Sequence, residues 1–260
     1  MTINSKINNL PSNYEAEMIP LVEQLFEKCI PQLQKCYEFC MNVQFPFGHV
    51  PNKDGDFDQV TFQSPLKRSL YDSELQVITK IIDYELQPGQ IHPEGAWHVE
   101  GMSHENIIAT AVTVLKKDAF IEGGNLHFKR AFTGKEATEK IYYTVPQSRQ
   151  KWVNEALKNG LIELGHIQLR ESDTVIFPNS HVHQLSMMKN DSNDDYQMRR
   201  IIVFWLINPN KKIISTAHIH DLSNEKIGIL EALDCRLKLM KERKVHKQDW
   251  NIRHISLCEH

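Results

Sequence analysis

Between Tyr14 and Met41 apolar side chains return every three or four positions, at Met18, Leu21, Leu25, Cys29, Leu33, Cys36 and Cys40. That period predicts a helix with one buried stripe, and Pro31 within it predicts a kink or a break. The pattern lapses over 45–60, "FPFGHVPNKDGDFDQV", where Pro, Gly and Asp crowd together as in loops. From residue 75 the rhythm changes. Runs of β-branched and aromatic residues at 75–86, 106–116, 125–132, 161–170, 173–179 and 199–208 predict strands, divided by turn chemistry such as Glu122-Gly123-Gly124 and Pro209-Asn210. Strands that follow one another without intervening helices point to a sandwich, barrel or jelly roll rather than a parallel α/β sheet. The stretch 133–158 is polar and weakly periodic, and is expected to be an insert lying over the sheet as a lid. Ile227, Leu230, Leu233, Leu237 and Met240 repeat in helical register within 224–244, which predicts a packed C-terminal helix.

Composition narrows the classes. With 260 residues and 41% apolar content the chain can bury a substantial core, and one globular unit is expected. A formal charge of -3 gives no electrostatic reason to expect nucleic acid or an anionic membrane as the main partner. No apolar run approaches the roughly 18–20 residues of a membrane span, and "MTINSKINNLPSN" lacks the apolar core of a secretory signal, so a cytoplasmic protein is expected. Five cysteines (Cys29, Cys36, Cys40, Cys235, Cys258) without a Cys-x-x-Cys pair read as reduced core thiols.

The chemistry starts at "AWHVEGM", 96–102. In a strand, residues i and i+2 share a face, so His98 and Glu100 can address one ion while Val99 points away. His92-Pro93-Glu94 offers the same tripeptide, but its prolines and glycines argue for a loop. A facial triad for iron(II) needs a second histidine and leaves adjacent coordination positions open. "FPNSHVHQL", 177–185, supplies His181 and His183, again i and i+2, and either could face the same pocket. A 2-oxoglutarate-using oxygenase also needs a cation for the distal carboxylate, and arginine grips one bidentately. Arg199 and Arg200 open the run "RRIIVFWLIN", where alternation lets only one of them face inward.

The order "WHVEG", "GGNLHFKRAF", "FPNSHVHQL", "RRIIVFWLINP" and "IISTAHI" resembles a family of fungal, plant and bacterial proteins known as domain of unknown function 4246. The resemblance spans roughly residues 5–220, and the family is similar in motif order to the Fe(II)/2-oxoglutarate-dependent oxygenases. It implies a mainly β fold with flanking helices, its core a double-stranded β-helix, the jelly roll of the cupins. The implied layout is a single domain over 1–260: a helical segment at 1–44, the core at 70–220, and a helix with tail at 221–260. Matched residue by residue, the family's His-x-Glu falls on His98 and Glu100, its later histidine on His183, and its arginine pair on Arg199 and Arg200, with Trp205 slightly favouring Arg199. The wider superfamily uses Asp where this chain has Glu100.

The resemblance further implies iron(II) and 2-oxoglutarate as cofactors and O2 as cosubstrate. Hydroxylation of an unactivated C–H bond, with release of succinate and carbon dioxide, is the default reaction. An amino acid, peptide or other small metabolite is the expected substrate. Trp97, His127 and Arg130 are candidates to touch it, and the apolar helices at the two ends could serve a homodimer. Two other classes stay open: an inactive jelly-roll scaffold, and a cupin-type metalloenzyme without 2-oxoglutarate, whose signature would be His181 joining His183.

Overall fold

The structure is a computed structural model and describes residues 1–5, 7, 10, 12–42, 69–131, 161–218, 228–250 and 256–257. The loop expected at 45–60 and the insert expected at 133–158 lie outside the described residues.

Helix α1 (Ser12–Asn42) runs through both Pro20 and Pro31, where a kink or break at Pro31 was expected. A helix-interior proline costs roughly 3 kcal/mol. Against it stand seven side chains buried from this one helix, Val22, Phe26, Cys29, Ile30, Leu33, Cys36 and Tyr37, and each buried residue of this kind contributes about 1.5–3 kcal/mol. Packing wins. The buried stripe is displaced slightly from the expected one: Leu21 is exposed, and Val22 and Phe26 take its place against the sheet.

All six predicted strands are present, as β1 (Val77–Leu86), β4 (Ile107–Lys117), β6 (Leu126–Ala131), β7 (Leu161–Ile167), β8 (Thr174–Pro178) and β11 (Gln197–Ile207). Between them lie shorter strands: β2 (Ile91–His92), β3 (His98–Val99), β5 (Ile121–Gly123), β9 (His181–Leu185) and β10 (Met188–Asn190). One sheet has the order β1-β11-β4-β8, antiparallel throughout. A second runs β3-β9-β6-β7, also antiparallel, with β12 (Ser256–Leu257) added in parallel beside β3. A small sheet, β2-β10-β5, closes one end. In chain order β1, β4, β8 and β11 go to the first sheet, and β3, β6, β7 and β9 to the second. Crossing repeatedly between two antiparallel sheets in this way makes a jelly roll, so the protein is mainly β with flanking helices.

The first sheet is covered on both sides, which is why β11 reads "QMRRIIVFWLI" with almost no alternation. Its even-numbered residues Ile202, Phe204 and Leu206 pack with Ala109, Ala111 and α1, and Phe26 meets Phe204 edge-on at 5.2 Å. Its odd-numbered residues Ile201, Val203 and Trp205 turn inward to Val112, Val114, Leu126, Phe128 and Phe177. That inner core lies between the two sheets, where the site is built.

At the other end, α2 (Ile229–Trp250) departs from expectation. Ile229, Leu230, Leu233 and Leu237 are exposed, so the predicted packing of this helix is absent among the described residues. Cys235 on the same helix is an exposed thiol rather than a core one, whereas Cys29 and Cys36 are buried thiols that form no disulfide. Among the described residues no helix is long and apolar enough to cross a membrane.

Candidate metal centre

The site is assembled by register. His98 on β3 stands directly opposite His183 on β9, and His183 stands opposite Phe128 on β6, so the three rings form one row across the inner face of the second sheet. Glu100 follows one residue after the end of β3 and turns its carboxylate to the same side as His98. Its Oε1 lies 3.1 Å from His183 Nε2 and 3.9 Å from His98 Nε2. Ligand atoms of all three residues fall within 4.8 Å of one another. His183 and Glu100 are buried and His98 is half-buried. Phe177, 4.8 Å from the His183 ring, and Phe128, 6.3 Å from it, wall the other side.

Tautomers follow from the backbone. His98 Nδ1 is 2.7 Å from the Ala96 carbonyl and His183 Nδ1 is 3.3 Å from the His181 carbonyl. A carbonyl only accepts, so Nδ1 is the donor in each contact and Nε2 of each ring faces the cluster, where His183 Nε2 lies 3.1 Å from Glu100 Oε1. Two lone pairs and a carboxylate oxygen converging at these distances repel one another unless a cation or a proton joins them. Two imidazoles and a carboxylate, with second nitrogens fixed by carbonyls, are the donor set and outer support that iron(II) and related divalent metals take. The residues fit a metal ion.

Farther inside the barrel lies a second feature. Arg199 is buried among apolar groups, where Nη1 donates to the Gly124 carbonyl at 2.8 Å and touches the Met188 sulfur at 3.4 Å. Among the described residues no carboxylate pairs with it, and Nε has no partner. Burial pushes this guanidinium down from its ordinary value, with Tyr84 opposing. Lys117, opposite Arg199 on β4, is likewise held low, first by burial and then by the Arg199 charge. Two cations thus face each other at the end of the core, the arginine buried and the lysine half-buried. Room for the first is made by Gly124, at φ +71°, where a Cβ would lie 2.1 Å from Arg199 Nη1. Along β6 the guanidinium end is about four residues from the Phe128–His183 row, on the order of 10 Å.

Arg200 is placed differently. It lies on the outer face and makes a bidentate pair with Asp83, both contacts at 2.7 Å, so it is withdrawn as a cofactor ligand. Alternation along β11 is the cause. The same rule separates the substrate candidates. Trp97 shares the outer face of Val99, packs near Leu161 and Val182, and carries Lys129 Nζ 4.2 Å from its ring centroid. His127 also turns outward and stacks on His166 at 5.1 Å. Only Arg130 of the three faces the core, fully buried, in the step beyond Phe128 and opposite His181.

His181 is not among the converging groups; its ring meets Phe39 of α1 at 6.2 Å. His92 pairs into β2 and packs on Tyr84, remote from the cluster. A cavity of about 790 Å³ lies elsewhere, between α1 and β8 on the outer side of the first sheet, and reaches the neighbourhood of the site only at His181. Two contributors were not anticipated from sequence. Lys117 reads as an ordinary strand-end lysine, although its place two positions beyond a buried run was a signal. Asn179 stands in the sequence only as the last residue of the predicted strand 173–179, yet its side chain bonds the Glu100 backbone on both sides.

Comparison with solved structures gives distant likenesses. AviO1 from Streptomyces viridochromogenes Tue57 is 15% identical, with 50% of this chain and 51% of that one covered and a TM-score of 0.25. HygX from Streptomyces hygroscopicus with nickel, 2-oxoglutarate and hygromycin B bound is 7% identical over 52% of this chain and 57% of that one, at 0.24. An RmlC-like cupin protein from Desulfovibrio desulfuricans is 11% identical over 56% and 96%, at 0.18. The chain spans little more than half the length of the AviO1 and HygX chains it matches. No curated protein matches it. The model of one family, described as protein of unknown function (DUF4246), matches residues 44–221, leaving all of α1 outside the match but taking in His98, Glu100, His183 and Arg199, and the chain belongs to that family.

Proposed function

We propose that this protein is an iron(II)- and 2-oxoglutarate-dependent oxygenase that hydroxylates a C–H bond of an amino acid, a peptide or another small metabolite. The reading is carried by one observation: the convergence of His98, Glu100 and His183 on the same barrel interior that buries Arg199 without a carboxylate partner among the described residues. Each half of that pair explains the other. A metal ion satisfies the acceptors, and a dicarboxylate reaching from it to the guanidinium satisfies the buried cation, which otherwise costs several kcal/mol.

Iron(II) held by the three residues would supply dioxygen activation coupled to decarboxylation of the keto acid, giving succinate, carbon dioxide and an oxidant for the substrate. The chain's own groups have separate tasks. His98 and His183 present fixed Nε2 lone pairs because Ala96 and His181 carbonyls hold their other nitrogens. Arg199, with Lys117 beside it, orients a dicarboxylate end-on and sets its reach. Phe128 and Phe177 exclude water from the His183 side. Arg130 stands in the step beyond the histidine row and is the residue best placed to meet a polar group of the substrate.

Protein purified without oxygen, loaded with iron(II) and 2-oxoglutarate and then exposed to air, is expected to form succinate slowly even without substrate. His98→Ala and His183→Ala should each lower that rate at least a hundredfold. A wild-type protein that neither binds 2-oxoglutarate nor yields succinate, with and without a panel of amino acids and peptides, would sink the reading.

A further inference from the structure

Of the three converging groups, Glu100 is the one no strand holds. β3 ends at Val99, so the ladder that sets His98 opposite His183 stops one residue short of the carboxylate. Immediately afterwards the chain turns at Gly101, φ +63°, where a Cβ would approach Ile107 Cδ1 to 2.7 Å and Glu105 Oε2 to 2.8 Å. A residue between a two-residue strand and a left-handed turn owes its orientation to whatever takes its peptide groups.

One side chain takes both. The Glu100 N–H donates to Asn179 Oδ1 at 2.7 Å, and Asn179 Nδ2 donates back to the Glu100 carbonyl at 2.8 Å. The same Nδ2 reaches the Ile107 carbonyl at 3.1 Å, and the Asn179 N–H donates to the Ile108 carbonyl at 2.9 Å. The amide therefore continues the ladder where the backbone ladder has ended, and it anchors Glu100 to the start of β4. On its own chain Asn179 lies in the turn from β8 into β9, just ahead of His181–Leu185. It is thus bonded to the segment that carries Glu100 and continuous with the segment that carries His183. The 3.1 Å approach of His183 Nε2 to Glu100 Oε1 spans this junction. Only an amide offers both an acceptor and a donor in that plane.

We propose that Asn179 is a positioning residue for the metal centre, setting the angle and reach of the Glu100 carboxylate relative to the two histidines without touching the ion. The proposal rests on the reading that the cluster holds a divalent metal. A purely structural asparagine would influence stability alone, so the control is Asn190. That residue is a comparable buried clamp, donating to the Leu86 and Asp195 carbonyls and accepting from the Ser192 N–H, away from the cluster.

The test is titration of the full chain with cobalt(II) alone, following affinity and the visible absorption bands, with thermal unfolding of the metal-free protein alongside. Asn179→Ala is expected to weaken cobalt(II) about tenfold or more, the usual effect of losing an outer-shell contact, and to shift the absorption bands. Asn179→Asp keeps the acceptor and loses the donor, and should fall between Ala and wild type. Asn190→Ala should lower the melting temperature while leaving cobalt(II) affinity within about twofold. Wild-type affinity and bands in Asn179→Ala overturn the proposal, as does an equal loss in Asn190→Ala. Should Asn179→Ala not fold, Asn179→Asp decides by the same two readouts. Separately, a wild type that ignores cobalt(II), or a His98→Ala protein that binds it equally well, removes the metal reading itself and this proposal with it.

Discussion

The two faces of the β1-β11-β4-β8 sheet use the same strands for opposite ends. Toward α1, β11 and β4 present Ile202, Phe204, Leu206, Ala109 and Ala111, an apolar surface matched to the helix. Toward the second sheet, the alternating positions include Ile201, Val203 and Trp205 but also Arg199, with Lys117 opposite it. Both faces are buried, so burial alone does not distinguish them. What does is the kind of group each face encloses: the helix side encloses apolar side chains, whereas the inner side encloses a guanidinium with no carboxylate partner among the described residues and two imidazoles and a carboxylate drawn close enough to need a shared proton or a cation between them. A buried polar group left in that condition costs free energy that a packed core avoids, and retaining it points to function.

The contrast can be broken from either side. The largest effect on stability is expected from the helix face: Phe204→Ala should cost about 3–5 kcal/mol in denaturant unfolding. It should leave metal affinity in the remaining folded protein unchanged. On the inner face Arg199→Met should behave in reverse, weakening 2-oxoglutarate at least tenfold by calorimetry while the melting temperature holds or rises, because an unpaired buried charge is removed. An Arg199→Met protein that is strongly destabilised yet binds 2-oxoglutarate normally would reverse the roles given to the two faces. The smallest effect belongs to the exposed neighbour. Arg200 holds the Asp83 carboxyl below the usual carboxylate range, chiefly by hydrogen bonding. A depressed acid stabilises above its unfolded pKa, and the gain is lost as pH falls through the folded one, so any contribution fades below about pH 4. Since both partners are substantially exposed, Arg200→Ala should change stability by about 1 kcal/mol or less at pH 7, and by nothing measurable at pH 3.

Much of this arrangement could be read from residue order. Long strands carry enough β-branched and aromatic residues to announce themselves, and strict alternation already required Arg199 and Arg200 to part company. The His98-Val99-Glu100 spacing brought both ligands together although β3 ends at Val99, because Asn179 takes the Glu100 peptide groups beyond the strand. Short elements were less visible: β5 and β10 are three residues each and show no period at all. Pro31 does not break the helix, because the packing of α1 outweighs its local cost. Leu230, Leu233 and Leu237 misled in the other direction, since helical spacing records a stripe but not whether anything covers it. Trp97 and His127 needed only their parity to be counted to be set on the outer face. Asn179 was hidden because its partners lie 79 residues away, at Glu100, and 72 away, at Ile107. No local pattern encodes a contact across that distance.

Because Glu100 and His183 are 83 residues apart in the chain and arrive on separate segments, the three converging groups cannot gather until the second sheet has closed. Loop closure over such a span is slow and comes late in assembly. Occupancy by a divalent ion would therefore report on completed molecules only, and by mass action would draw partly assembled chains toward the finished state.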